Sequence, residues 1–406
     1  MATAARPHPD ARKIYAAQGV RALAYGFGSV LLGATLEARG WSGARAGLLF
    51  AAVVSGIAVM SVVVARWGDV VGRRRFYFLL FCGFAATAVV FAFAEAFWIL
   101  LIVALTGTLS TEVIESGPFT SLEQAMLPSV VPASSRARAF GTYNAIAALA
   151  GSTGALLAGG SALLRDAFGF GIADQRFFLL LVPAAAAGAL IARSLTDTVE
   201  ASRTTVRRAP LERSKKTVMR LSALFAADSF GGGFVIQSFV AFWFRREFDA
   251  SLETLGLVFF GAGLLQTASF LAAPRIAERF GLLNTMVFTH LPSNLLLAGI
   301  AFAPSLPVGI ALLLARQVLS QMDVPTRQAY IVSLVDPDER IAAASYTNVA
   351  RYLTRPVGAA FAGAALRAAP GLPFLVAGGI KTIYDLALYA WFRRVPLGAG
   401  DDHAAT

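Results

Sequence analysis

Residues 47–75 read GLLFAAVVSGIAVMSVVVARWGDVVGRRR, and residues 256–281 read GLVFFGAGLLQTASFLAAPRIAERFG. Each is a long apolar stretch that ends in a burst of charge. A helix needs about 20 mostly apolar residues to cross the hydrocarbon of a bilayer, and both stretches supply that length. At an offset of 209 residues they correspond: Gly47-Leu48-Leu49-Phe50 meets Gly256-Leu257-Val258-Phe259, Asp69 meets Glu278, and Gly72 meets Gly281. One apolar span with its charged loop therefore occurs twice in the chain.

The composition has the same character throughout. Of 406 residues, 57% are AVILMFWYC and 37 more are Gly, while only 15% are charged. Ordinary soluble domains are about 45–50% apolar with Gly included, and about 25% charged. A soluble fold of this size could not cover so much apolar surface. Disorder, collagen, coiled coil and disulfide scaffolds are excluded by the same numbers. Cys82 is the single cysteine, so an intrachain disulfide and a cysteine metal cluster are both ruled out. The net charge of +11 falls in short bursts between apolar runs rather than in a stripe, which argues against a nucleic-acid partner. The polar first thirteen residues lack the apolar stretch and cleavage site of a signal peptide, so the first span is expected to be retained.

Measured against the length of a bilayer crossing, the chain yields twelve spans: 15–37, 44–66, 76–96, 97–119, 138–162 and 177–195, then 221–244, 255–274, 284–303, 308–328, 341–366 and 374–392. The runs are too long for strands and do not alternate with polar residues. Lys and Arg concentrate in cytoplasmic loops. Of the 35 present, 23 fall on the face that carries the N terminus, seven on the other, and five inside spans. Both termini are therefore expected in the cytoplasm, with the chain multi-pass in the cell (inner) membrane. The organisation that follows is a tail over 1–13, a six-helix bundle over 14–195, a charged linker over 196–219, a second bundle over 220–394 and a tail over 395–406.

The duplication extends beyond the opening pair. At an offset of 204, Gln124-Ala125 meets Gln328-Ala329, Arg136 meets Arg340, Asn144 meets Asn348, Gly154 meets Gly358, and Ala158-Gly159 meets Ala362-Gly363. Chance apolar similarity does not keep Arg, Asn, Gln and Gly in register. Each copy has an even number of spans, so the copies run parallel, an arrangement used for alternating access.

The loop Ala65–Arg75, A-R-W-G-D-V-V-G-R-R-R, resembles the signature G-x-x-x-D-R-x-G-R-R/K of the major facilitator superfamily, matching at Asp69, Gly72, Arg73 and Arg74. Ala65 replaces the first Gly and Val70 the first Arg, while the copy P-R-I-A-E-R-F-G keeps Glu278, Arg279 and Gly281. The chain also looks like a prokaryotic subgroup that carries ESGPFTSLEQA (115–125), DSFGGGFVIQS (228–238), FTHLPSN (288–294) and MDVPTRQAY (322–330). The resemblance implies an all-α membrane protein: twelve transmembrane helices in two pseudo-symmetric six-helix bundles. It implies a secondary transporter, and a cytoplasmic gate at Asp69, Gly72, Arg73, Arg74, Glu278, Arg279 and Gly281, where charges latch the bundles shut. Drug-exporting members carry an Arg in the fourth span, which 98–120 lacks, and their proline-containing glycine motif in the fifth span is only partly echoed at Gly154 and Gly159-Gly160.

Charges inside a membrane are costly and functional by default. Asp228, about 8 residues into the seventh span and followed by Gly231-Gly232-Gly233, is a proton-coupling candidate with Glu112 and Glu115. The competing reading makes Asp228 a satisfied partner of Arg21 or Arg351. Glu112 and Arg316 are equivalent at the 204 offset. Their spans line the central cavity in the family, so a pair that closes in one state is expected there. Arg21, Arg316, Arg351, Arg355, Asp323, Gln237, Tyr25 and Phe234 are the substrate-cavity candidates, and the basic excess among them suits an anionic or zwitterionic solute. Lys381 and Asp385 are one turn apart and are expected to pair with each other, as are Asp323 and Arg327. Gln124 and Gln328 are expected as symmetric polar struts.

His8, His290 and His403 look isolated, and no hydrolase, zinc-protease or P-loop pattern is present. The chain is thus expected not to be an enzyme, to use no cofactor or metal, and to be driven by a gradient. The leading expectation is proton-coupled efflux of a small-molecule substrate by a monomer in the lipid bilayer. Import or facilitated passage of small organic anions is the alternative, and a non-transporting sensor or assembly factor on the same fold is the alternative from another class.

Overall fold

The computed structural model describes residues 8–110, 117–132, 136–168, 174–200, 213–335 and 339–395. Among them every regular element is a helix. In chain order these are α1 (Pro9–Ala38), α2 (Gly43–Val71), α3 (Arg73–Phe93), α4 (Phe97–Ala104), α5 (Gly117–Val130), α6 (Arg136–Phe168), α7 (Leu181–Ser194), α8 (Lys215–Gly233), α9 (Gln237–Phe248), α10 (Leu252–Phe280), α11 (Leu282–Gly299), α12 (Leu306–Ser320), α13 (Asp323–Ser333), α14 (Arg340–Ala368) and α15 (Leu372–Phe392). Short 3-10 turns at Asp174–Leu180, Asp197–Val199 and Ile300–Phe302 join or extend them.

Eight of the helical stretches are long and apolar enough to cross a membrane on length and composition alone. The broken pairs α4–α5 and α12–α13, with the more polar α6 and α14, complete the twelve crossings. The repeated loop has a backbone reason for its glycines. Gly72 (φ 96°) and Gly281 (φ 85°) each stand alone between two helices, and only a residue without Cβ takes that conformation cheaply. The chain thereby turns from α2 into α3 and from α10 into α11 across one residue.

Three spans differ from the hydropathy reading. The fourth, expected as one helix over 97–119, stops at Ala104, and the next described helix, α5, covers Gly117–Val130. Gly107 (φ 67°), just after α4, and Gly117 (φ 84°), at the start of α5, hold positive φ. The seventh, expected over 221–244, starts earlier at Lys215 and is interrupted between Gly233 and Gln237, directly after the glycine triplet. The tenth is interrupted at Gln321–Met322 and extends to Ser333.

The helices pack as two compact units, Met1–Arg203 with Ile236–Leu264, and Thr204–Val235 with Leu265–Thr406. In the first unit α1 lies against α6 at backbone contact. A Cβ on Gly26 would sit 1.9 Å from the carbonyl oxygen of Gly151, and one on Gly154 would sit 1.9 Å from that of Leu23. The second unit repeats this between α8 and α14. There a Cβ on Gly233 would meet the carbonyl oxygen of Arg355 at 2.2 Å, and one on Gly358 that of Phe230 at 2.0 Å. Close helix approach through small residues is how helices associate where lipid removes the hydrophobic drive. The apolar filling differs between the units. Tyr25, Tyr77, Phe81, Phe84 and Phe119 meet edge to face in the first. Val218, Leu221, Phe225, Met286, Tyr330, Tyr384 and Leu388 form the core of the second.

Candidate functional site

Among the described residues each unit holds a connected cluster of buried charge, and these two clusters correspond through the repeat. In the first unit Arg21 on α1 meets Glu123 on α5, with Nη2 to Oε2 at 2.7 Å and Nε to Oε1 at 3.4 Å. Both side chains are fully buried. Gln18, Thr120 and Tyr143 accept further hydrogen bonds from Arg21. The hydroxyls of Tyr77 and Tyr143 donate to the Glu123 carboxylate. The guanidinium also lies 5.3 Å from the Tyr25 ring centroid and 5.4 Å from that of Phe119. A two-pronged Arg–carboxylate pair with its remaining acceptor sites filled is the arrangement that makes a buried ion pair tolerable.

In the second unit Asp228 on α8 accepts from Lys381 Nζ of α15 at 2.6 Å and stands 3.8 Å from Arg327 of α13. Arg327 pairs with Asp323 one turn earlier at 3.1 Å. One turn further along α15, Asp385 meets His290 Nδ1 of α11 at 2.9 Å and accepts from Asn294 Nδ2 at 2.8 Å. All of these side chains are buried. The correspondence inverts the charge. Glu123 and Arg327 are equivalent at the 204 offset, while Arg21 and Asp228 are separated by 207, as are Gly26 and Gly233. The first unit has cation on its first helix and acid on its fourth span; the second has acid on its first helix and cation on its fourth span.

Asp228 pairs with Lys381, so the residue expected to pair with Asp385 reaches across to another helix instead, and Asp385 takes His290. Asp228 therefore has a partner other than the two weighed from sequence, and Arg21 is held by Glu123. Asp323 and Arg327 pair as the spacing suggests. Gln124 and Gln328 are exposed; the buried polar residues are their neighbours Glu123 and Arg327. Tyr25 donates to the carbonyl oxygen of Thr108 at 2.7 Å and packs against Phe84. Phe234 is buried at the end of α8 against Phe230, and Gln237 opens α9, partly buried. Arg351 and Arg355 stand one turn apart on α14, both partly buried, and the carbonyl oxygen of Arg351 accepts from Ser229. Arg316 on α12 has a buried Nε that meets no acceptor among the described residues. Glu112 and Glu115 lie outside the described residues, and with them the Glu112–Arg316 pairing.

The repeated loop binds within its own unit. Asp69 accepts from Arg73 Nε at 2.7 Å, and Arg73 also donates to the carbonyl oxygen of Ala125 at 2.9 Å. Arg74 pairs with Asp197. The carboxylate of Glu200 accepts the main-chain N–H of Arg73 at 2.7 Å and of Arg74 at 3.2 Å, which caps α3 from a distance. In the second copy Glu278 and Arg279 are exposed, with the Arg279 guanidinium 5.5 Å from the Phe280 ring.

Sequence reading missed Glu123, His290 and Asn294. Glu123 lies beyond residue 119, where the apolar run ends but α5 continues. His290 looked isolated, yet it and Asn294 are four apart on α11, as Lys381 and Asp385 are on α15. Two such polar pairs in otherwise apolar helices mark faces that meet.

Comparison with known proteins agrees with this architecture. The model of the Major Facilitator Superfamily matches residues 14–359. The uncharacterized membrane protein YJR124C of Saccharomyces cerevisiae is 26% identical over 423 residues, covering 95% of this chain and 94% of its own length. Among solved structures, the nucleoside transporter NupG superposes with a TM-score of 0.73 at 14% identity, covering 95% of this chain and 99% of its own. A D-xylose-proton symporter does so with a TM-score of 0.72 at 15% identity, covering 95% and 98%. At such identities the shared property is the fold. The duplicated spans, the mirrored helix crossings and the matched family model lead to one assignment: the chain is a membrane protein that belongs to the major facilitator superfamily.

Proposed function

We propose that this chain is a secondary active transporter that exports a small organic solute by alternating access in exchange for protons. The observation that carries the reading is Asp228. Asp228 is 4% exposed in a membrane-spanning helix, more than one turn before the interruption at 234–236, and its cation comes from a different helix. Protonating Asp228 would cancel that attraction, so proton binding and the hold of α15 on α8 are linked. The likeness to a proton symporter supports the same coupling ion. In this reading Glu112 and Glu115 are further coupling groups, and the bundles over 14–195 and 220–394 are the moving parts. The linker 196–219 and both tails lie in the cytoplasm beneath the inner membrane, in keeping with the 23 to 7 distribution of Lys and Arg.

The test is flux in proteoliposomes under an imposed pH gradient, with solutes first chosen by thermal shift from nucleosides, sugars, organic acids and drugs. Solute movement that follows the gradient, and is lost in folded Asp228→Asn protein, is the expected result. Solute movement indifferent to the gradient would overturn the coupling.

Arg316 favours a second reading, passage of small organic anions. Its buried Nε offers a hydrogen bond for which no described residue supplies an acceptor, and guanidinium suits a carboxylate or phosphate. Preferential shifts with organic acids, abolished in Arg316→Gln, would decide for it.

A further inference from the structure

The second unit contains three carboxylates in one connected cluster, and two of them have a permanent cation. Lys381 lies 2.6 Å from Asp228, and Arg327 lies 3.1 Å from Asp323. For Asp385, His290 is the one base at ion-pair distance among the described residues. Asp385 is 1% exposed and His290 4% exposed, both on membrane-spanning helices. An uncompensated carboxylate in such a place is costly, whereas one additional proton on the imidazole balances the cluster. Unlike Lys and Arg, an imidazole exchanges its proton in the physiological range. We propose that His290 and Asp385 together bind one exchangeable proton, forming a proton site separate from Asp228.

The geometry also links the two sites. Lys381 and Asp385 are one turn apart on α15, so the ammonium that serves Asp228 is the nearest permanent cation able to serve Asp385 instead. When Asp228 takes up a proton, Lys381 loses its counter-charge and becomes available to Asp385. The proton held by His290 and Asp385 is then no longer needed for balance and leaves. One proton gained at α8 is matched by one lost between α11 and α15. The other groups that face His290 are fixed in this exchange. These are Asp323 and Arg327 from α13, already paired, and from α15 the Tyr384 ring, 6.0 Å away and edge-on. The one charged residue of α12 is Arg316. The use of this proton in transport rests on the proton-coupled reading above; its presence does not.

The protein has three histidines, so His8→Gln with His403→Gln leaves His290 as the sole imidazole. Nitrogen NMR of this full-length protein in nanodiscs, labelled at histidine, separates the imidazolium from both neutral tautomers. The expected result is a single transition between the charged and neutral ring from pH 5 to 9. Its midpoint should move by at least tenfold in proton concentration in Asp385→Asn. A ring that keeps one protonation state across that range, or a midpoint unchanged in folded Asp385→Asn, would overturn the proposal. A ring that titrates as expected, in a protein whose solute flux ignores the pH gradient, leaves the proton site standing and removes the coupled-transport reading.

Discussion

Glu123 and Arg327 hold the same place in the two copies of the repeat, 204 residues apart, and carry opposite charges at full or nearly full burial. Each is matched by the first helix of its own copy, Arg21 for Glu123 and Asp228 for Arg327, so the inversion affects both members of the pair. A duplicated ancestor with one polarity would have to change both residues to keep its pairs. Retention of the pair with reversed sign argues that the contact between first helix and fourth span matters more than which side bears the charge.

The first unit's pair should behave as a closed structural unit. Arg21→Leu leaves the Glu123 carboxylate buried without its cation, a loss of about 3–5 kcal/mol. The double variant Arg21→Leu with Glu123→Leu removes both charges and should recover most of that loss. Thermal unfolding in detergent, followed by size-exclusion chromatography, measures both. A double variant as unstable as the single would show that the tyrosine hydroxyls at Glu123, rather than charge pairing, dominate the site.

The parts of this architecture legible from sequence are those set by local chemistry. Gly72 and Gly281 announce their turns because no other residue takes their φ cheaply, and the apolar runs announce their helices by length. The partners of Lys381 were not legible. Asp385 is available to it at the spacing of one turn, but Asp228 approaches from another helix, and spacing along one chain segment does not say which helix lies opposite. Glu123 was hidden for a related reason. Hydropathy falls beyond residue 119, yet α5 continues to Val130 because α1 and the Tyr77 and Tyr143 hydroxyls satisfy what the apolar pattern omits.

The glycine crossings give a prediction with an internal control. Ala at Gly26, Gly154, Gly233 or Gly358 places a Cβ within 2.2 Å of a facing carbonyl oxygen, so the helices must part. A loss of about 1–3 kcal/mol is expected at each, the usual range for overpacking. Gly141 on α6 has open space where its Cβ would go, and Gly141→Ala should be neutral or stabilise by about 0.5–1 kcal/mol. Melting temperatures of the five single variants test the contrast.

Two remote carboxylates cap helices, one per unit. Glu200 receives the N–H groups of Arg73 and Arg74 at the start of α3. Glu339 receives those of Arg213 and Ser214, at 2.8 and 2.9 Å, just before α8. Glu200→Ala and Glu339→Ala should each cost about 0.5–2 kcal/mol, the range for a lost N-cap. Hydrogen exchange should quicken at the first turn of the affected helix alone. Faster exchange spread evenly along α3 or α8 would point to wider unfolding and against a capping role.

Asp228 and Lys381 allow structure and coupling to be separated. Asp228→Asn strands the Lys381 ammonium in a buried setting and should destabilise by about 3–5 kcal/mol, whereas Lys381→Met leaves the carboxylate with Arg327 alone at 3.8 Å and should cost less. Loss of flux in either single variant therefore counts only where the protein is shown to be folded. Combining Asp228→Asn with Lys381→Met removes both charges and should return the melting temperature most of the way to the parent. If Asp228 carries the coupling proton, this refolded double variant still fails to move solute in response to a pH gradient, although solute binding by thermal shift persists. Gradient-driven flux in the double variant would assign the pair to architecture and leave proton coupling to other groups.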